Sequence, residues 1–198
     1  MGNVFAVTKP ILHCLMRVMG MTSKLVEIEP GTTLHFWVPT DQTISTIKPA
    51  VVLLHGFVAN GILTWLFQVI SLRTSFAVYV PDQLFFGDSF THHPERSPNF
   101  QVMFGNIKEK VELLEASVVS DKDAASTPNY SQRIYILCGE DDKIFTKPVS
   151  DAMKEKLGEN ATLEYITEAG HLVQIERPFM YNHHLKKFLS YSSDSANM

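Results

Sequence analysis

The sequence predicts an α/β protein whose mostly parallel sheet is flanked by helices. Three short apolar runs, at residues 50–54, 76–80 and 133–137, are typical of strands buried on both faces of a sheet. Segments with apolar residues at helical spacing separate these runs. Because strands that alternate with helices pair in parallel through crossover connections, the α/β class follows.

Composition limits what the chain can be. Its 198 residues are 45% hydrophobic and 19% charged, with a formal net charge of −4, as in an ordinary globular domain. No basic stripe predicts a nucleic-acid partner, and the histidines lack metal-ligand spacing, so we expect neither a metal nor another cofactor. Two cysteines, Cys14 and Cys138, make no disulfide framework, which favours a reducing, cytoplasmic location.

Residues 1–23 are predicted to be an N-terminal docking segment that packs on the domain. The segment is apolar, but Lys9, Pro10, His13 and Arg17 interrupt it. It therefore lacks the apolar core of a signal peptide and the length of apolar chain that spans a membrane. Cys14 is expected to lie in irregular structure here.

One domain is predicted over residues 24–189, and its first half alternates strands and a helix. Two short strands at 24–29 and 33–38 flank a Pro30-Gly31 turn. Asp82 follows the strand at 76–80, and it is expected to fix the loop after that strand. The other elements of this half are a strand at 50–54, a helix at 63–72, a strand at 76–80 and a loop at 84–101.

The second half begins with a helix and then alternates again. Ile107, Val111, Leu114 and Val118 fall on one helical face, and a polar linker follows over 121–131. The polar residues 190–198 predict a disordered tail. Between them lie a strand at 133–137, a helix that starts near Pro148 and ends at Gly158, a strand at 163–166 and a helix opened by Pro178.

A turn after the first buried strand offers an oxyanion site. Gly56 permits a sharp turn after His55, so that the backbone N–H of Phe57 can point into a cleft and stabilise an oxyanion. A plain strand-to-loop turn explains the same residues, and the pattern alone leaves both interpretations open.

An acid and a base follow two later strands. Asp142 comes soon after the strand at 133–137, and His171 follows the strand at 163–166. Because the carboxyl ends of parallel strands line one sheet edge, we expect Asp142 to orient His171 as a general base. Asp142 is preferred to its acidic neighbours, and a helix-capping cluster is the alternative. The remaining histidines are expected to lie at the surface.

The sequence contains no recognisable nucleophile for that base. No serine has glycines both two residues before it and two residues after it, which is the pattern of the nucleophile turn Gly-x-Ser-x-Gly. Ser89 comes nearest, with Gly87 before it but Thr91 after it. The identity of a nucleophile stays open.

These residues together resemble the α/β-hydrolase superfamily, in particular its plant-type esterases and acylglycerol-lipase-like members. The resemblance covers most of residues 24–189, and it implies the α/β-hydrolase fold. It also implies that Asp142 is the triad acid, His171 the triad base and Phe57 an oxyanion-hole donor. The matching segments occur in the family's order, at 53–57, 80–82, 86–89, 139–142 and 169–178.

The chain departs from this family between its two halves. A complete member carries the elbow strand with its serine, a further strand and a cap domain after the Pro-Asp strand. Here the chain passes directly from Gln101 to Val102, so an internal deletion at that junction is our hypothesis. Since the elbow strand lies in the middle of the sheet, its loss predicts exposed apolar edges and a marginally stable fold.

The resemblance implies a hydrolase of carboxylic esters or related acyl substrates. Its partner would be a small apolar acyl or ester ligand, and we expect no transmembrane segment. Without a nucleophile, activity is expected to be weak or absent. The alternative is a non-catalytic isoform that binds a ligand or regulates a full-length hydrolase.

Overall fold

The computed structural model describes residues 4–56, 59–84, 86–92 and 130–195. The chain divides into two compact units, Met1–Phe100 and Gln101–Met198. The boundary falls beside the Gln101–Val102 junction inferred from the sequence, within the single domain predicted over 24–189. The helix predicted around Ile107 lies outside the described residues.

The described part of the first unit forms one sheet with three helices. The strands lie in the order β1-β2-β4-β3, with β5 beside β2, and β3 pairs with β4 in parallel. The strand–helix–strand order predicted from the apolar runs is therefore confirmed. In chain order the elements are α1 (Val4–Val18), β1 (Met21–Glu29), β2 (Thr32–Pro39), α2 (Ile44–Ile47), β3 (Ala50–Val52), α3 (Gly61–Leu72), β4 (Ala77–Pro81) and β5 (Phe90–Thr91).

The first two strands form an antiparallel hairpin across the predicted turn. Gly31 has a φ of 80°, a left-handed conformation that glycine adopts without a Cβ penalty. β2 continues the sheet by pairing antiparallel with β4. Its residues His35 and Trp37 are almost completely buried, so β2 supplies much of the centre of this unit.

The N-terminal segment is a helix, where irregular structure was expected for Cys14. α1 contacts β1, and its Met16 is fully buried. The ring of His13 meets the ring of Trp37 edge-on, with centroids 5.0 Å apart. Burial of this apolar face outweighs the helix penalty of Pro10 inside α1. Cys14 is an exposed, free thiol on this helix.

β3 is not buried on both faces, contrary to the prediction from its apolar run. Among the described strands only β4 pairs with it, so its other edge has no partner in that part of the chain. Val52 and Leu54 keep 58% and 62% of their accessible surface. Apolar residues at an unpaired edge are what the proposed loss of a neighbouring strand predicts.

The described part of the second unit repeats the strand–helix–strand order. β6 and β7 pair in parallel from Ile134 opposite Ala161 to Gly139 opposite Ile166. Ile166, Ala169 and Val173 form a buried cluster against which Tyr181 packs, and burial raises the pKa of Tyr181 to about 12. The elements are β6 (Ile134–Gly139), α4 (Lys147–Leu157), a 3₁₀ turn (Gly158–Asn160), β7 (Ala161–Ile166), α5 (Val173–Glu176) and α6 (Pro178–Ser195).

The last helix is longer than predicted. α6 continues to Ser195, into the segment 190–198 for which a disordered tail was expected. The sequence after Pro178 contains no glycine or proline that would end a helix. Within the described part of the chain, none of the helices has the length and apolar character needed to cross a membrane.

Candidate functional site

The structure brings together the acid and the base that the sequence singled out. Asp142 follows β6, His171 follows β7, and the parallel pairing of the two strands carries both residues to one end of the small sheet. The Nδ1 atom of His171 lies 3.0 Å from Oδ2 of Asp142. A carboxylate only accepts hydrogen bonds, so this contact places the proton on Nδ1 and leaves Nε2 as an acceptor.

Asp142 is held in a turn that uses its second carboxylate oxygen. The backbone N–H groups of Ile144 and Phe145 donate to Oδ1 at 2.7 and 2.9 Å. Desolvation pushes the pKa of Asp142 upward, but the hydrogen bonds from His171 and from these two amides outweigh it. The pKa therefore lies below its ordinary value, and the carboxylate is charged near neutral pH.

The loop that carries His171 is fastened to the end of β6. The N–H of Asp141 donates to the carbonyl of Ala169 at 2.9 Å. A Cβ on Gly139 would lie only 2.3 Å from that carbonyl oxygen, so the loop's close approach requires glycine there. Glu176 fixes the loop from its other side by accepting the N–H groups of Gly170 and Leu172.

The side chain of His171 is partly exposed to solvent. Its side chain is 33% exposed, whereas that of Asp142 is 5% exposed. The imidazole ring lies beside Phe145, with centroids 5.3 Å apart. Among the described residues no serine hydroxyl is hydrogen-bonded to Nε2 of His171. The arrangement can therefore take a proton from water or from a ligand hydroxyl.

Two other residues were singled out from the sequence, Phe57 and Ser89. Phe57, the expected oxyanion donor, lies outside the described residues. Ser89 belongs to the first unit and is 7% exposed. Its hydroxyl donates to the backbone carbonyl of Asp82 and accepts the backbone N–H of His35, at 2.7 and 2.8 Å. Both contacts are to the main chain, so no described imidazole is placed to activate Ser89.

A second histidine–aspartate pair lies in the first unit, and the sequence interpretation missed it. Nδ1 of His35 lies 2.8 Å from Oδ2 of Asp82, and the two side chains are only 2% and 3% exposed. Oδ1 of Asp82 accepts the N–H of Gly61, the first residue of α3, at 2.7 Å. The signal was available, because His35 and the buried Trp37 are two residues apart and so share one face of β2.

The prediction that the remaining histidines lie at the surface is wrong for at least three of them. His35 and His55 are 1% and 2% exposed. His55 accepts the N–H of Gln83 at Nε2, 2.9 Å away. His184 is half-buried and contacts Glu164, a hydrogen bond that helps to hold the pKa of Glu164 below its ordinary value. In the described residues no group of His, Cys, Asp and Glu side chains could hold a metal ion.

No protein-family model matches this sequence, and no curated protein matches it either. Solved structures do match its three-dimensional arrangement. A protein assigned as a lipase from Acinetobacter baumannii AYE superposes with a TM-score of 0.70 at 14% identity, over 94% of this chain and 97% of that one.

Two further solved structures extend this likeness. The 2-hydroxy-6-oxo-6-phenylhexa-2,4-dienoate hydrolase from Rhodococcus sp. strain RHA1 has a TM-score of 0.64 at 14% identity, over 86% of this chain and 99% of its own. The carboxylesterase CesB from Bacillus subtilis has a TM-score of 0.59 at 13% identity, over 93% and 98%. At these identities the likeness shows the fold, and the chain has the α/β-hydrolase fold that its motifs implied.

Proposed function

We propose that this chain is a weak hydrolase of carboxylic esters in which His171 activates water. The observation that carries the proposal is the 3.0 Å contact between His171 and Asp142, in which the His171 side chain stays 33% exposed. Asp142 keeps the imidazole in the tautomer that accepts a proton, and it stabilises the imidazolium that forms. The lipase and esterase among the fold neighbours make apolar acyl esters the substrate class to test first.

The expected turnover is low because the sequence holds no Gly-x-Ser-x-Gly nucleophile. At His171, water must then attack the ester carbonyl directly, without the covalent intermediate that divides the reaction into two easier steps. General-base assistance alone contributes about 10²- to 10⁴-fold. We therefore expect turnover below about 1 s⁻¹, well under the typical enzyme value.

The test is hydrolysis of p-nitrophenyl butyrate by the purified full chain and by His171→Ala. We expect the variant to lose at least about 10-fold of the rate, since it removes the base. His183→Ala is the matched control, because His183 is an exposed imidazole of the same unit and surface imidazoles attack such esters unaided. Equal rates in the wild type and His171→Ala would end this proposal.

A non-catalytic module that binds an acyl or ester ligand is the second candidate. The lack of the nucleophile turn in the full sequence favours it. A ligand that binds only the folded chain raises its melting temperature. Stabilisation by butyrate or caprylate that is equal in the wild type and in His171→Ala, with no ester turnover in either, is the outcome that this candidate predicts.

A further inference from the structure

In the buried His35–Asp82 pair, the second ring nitrogen of His35 contacts a serine. Oγ of Ser23, on β1, lies 2.8 Å from Nε2 of His35. With Nδ1 of His35 directed at the Asp82 carboxylate, Nε2 is the acceptor and the Ser23 hydroxyl is the donor. Serine, histidine and aspartate thus form one continuous hydrogen-bonded chain in the first unit.

This chain of contacts has the features that activate a serine. The histidine and the aspartate are buried, at 1% and 2% exposure, and the N–H of Gly61 fixes the second oxygen of Asp82. Trp37 meets the ring of His35 edge-on, with centroids 5.6 Å apart, and so holds the imidazole plane. Ser23 itself is exposed, because β1 is at the edge of its sheet. A buried base therefore contacts the hydroxyl of a residue that is exposed at the surface.

We propose that Ser23 is an activated nucleophile, with His35 as its base and Asp82 as the group that orients the base, and that it accepts acyl groups from small esters. The Ser23 oxygen bonds to the carbonyl carbon while its proton passes to Nε2 of His35. That proton then goes to the leaving alkoxide as the ester C–O bond breaks. Nε2 then takes a proton from a water molecule whose oxygen bonds to the acyl carbon. The bond between that carbon and the Ser23 oxygen breaks, the proton returns to this oxygen, and the carboxylic acid is released.

This site is independent of the proposed water activation at His171. It lies in the other unit and shares no residue with the His171–Asp142 pair. Its position also differs from that of a nucleophile turn, since Ser23 stands within a strand that pairs with β2.

The test is covalent labelling of the full chain with an alkyl fluorophosphonate, followed by peptide mass mapping. We expect the label on Ser23 at a rate at least about 100-fold above that of Ser45, an exposed serine that donates to a backbone carbonyl. Ser23→Ala should abolish this label, whereas Ser45→Ala and His171→Ala should retain it. Unfolding the wild type in guanidinium should also abolish it, because the activation requires the folded contacts.

Two results would overturn the proposal. One is no label above the rate of Ser45, and the other is a label whose main position is a serine other than Ser23. Circular dichroism melting of Ser23→Ala separates loss of the nucleophile from loss of the fold. Ester turnover at Ser23 would add to the hydrolysis proposed for His171, so the comparison of wild type with His171→Ala is made with Ser23→Ala present in both chains. Retained labelling of Ser23 in His171→Ala then separates the two sites.

Discussion

The two histidine–aspartate pairs of this protein make the same contact but differ in how deeply they are buried. In both, Nδ1 of the imidazole meets a carboxylate oxygen, at 2.8 Å for His35–Asp82 and 3.0 Å for His171–Asp142. The imidazole is 2% exposed in the first pair and 33% exposed in the second. The difference teaches that the contact alone assigns no role. The pairs differ in the exposure of the imidazole and in the partner of its second nitrogen, which is the Ser23 hydroxyl in the first pair.

The largest expected difference between the pairs is in folding stability. Asp82→Ala leaves a buried imidazole and the N–H of Gly61 without their acceptor. Leaving a buried polar group without its hydrogen-bond partner costs about 1–3 kcal/mol for each of the two groups. Asp142→Ala should cost less, about 1–3 kcal/mol, because its partner His171 regains water. Urea unfolding of both variants measures the difference between the two losses of unfolding free energy. Equal losses would mean that burial does not make the first pair more important for stability than the second.

A smaller effect tests how the exposed pair is positioned. A Cβ on Gly139 would lie 2.1 Å from the carbonyl oxygen of Gly170, and a backbone atom cannot move away cheaply. We expect Gly139→Ala to destabilise the fold by about 1–3 kcal/mol and to lower any ester hydrolysis that depends on His171. Gly56→Ala is the control, since its Cβ would meet nothing within 4 Å. Thermal unfolding that ranks Gly56→Ala as the more damaging change would contradict this account.

The smallest effect is the pH dependence of the exposed pair. The folded-state pKa of Asp142 lies below the ordinary value of 3.8. The carboxylate therefore stabilises the fold above pH 3.8, and this contribution is lost as pH falls through the lower folded-state pKa. Asp142→Asn should be less stable than the wild type by about 1 kcal/mol at pH 7, and this difference should shrink as the pH falls below 3.8.

Thermal melts from pH 7 to pH 3 measure this difference. Asp141→Asn removes the same charge from the exposed neighbouring residue, and it should change stability by less than about 0.5 kcal/mol. The stability difference between Asp142→Asn and the wild type could instead stay constant over this range. That result would show that the charge of Asp142 is not what stabilises the loop.

The sequence predicted the order of elements well because that order depends on local patterns. Apolar runs placed β3, β4 and β6, and the spacing of the strands brought Asp142 and His171 to one end of a parallel pair. Burial was harder to predict, because it depends on neighbours in space. Val52 has the sequence context of a core residue and lies exposed at an open edge, while His35 has the polarity of a surface residue and lies in the core.

Contacts between distant segments account for the rest. Ser23, His35 and Asp82 belong to three strands or their ends, and no local spacing relates them. The internal deletion stays a prediction, although the boundary between the two units falls beside the proposed junction. Transcript sequencing across the codons of Gln101 and Val102 decides whether a longer form exists.

The Asp82 carboxylate also links segments that would otherwise open separately. It holds the first amide of α3 and the histidine of β2, while the adjoining carbonyl binds Ser89 in the loop after β4. None of these segments can separate without leaving a buried polar group unpaired. The amide protons of Gly61 and His35 should therefore exchange with deuterated solvent together, at the slow rate set by opening of the whole unit.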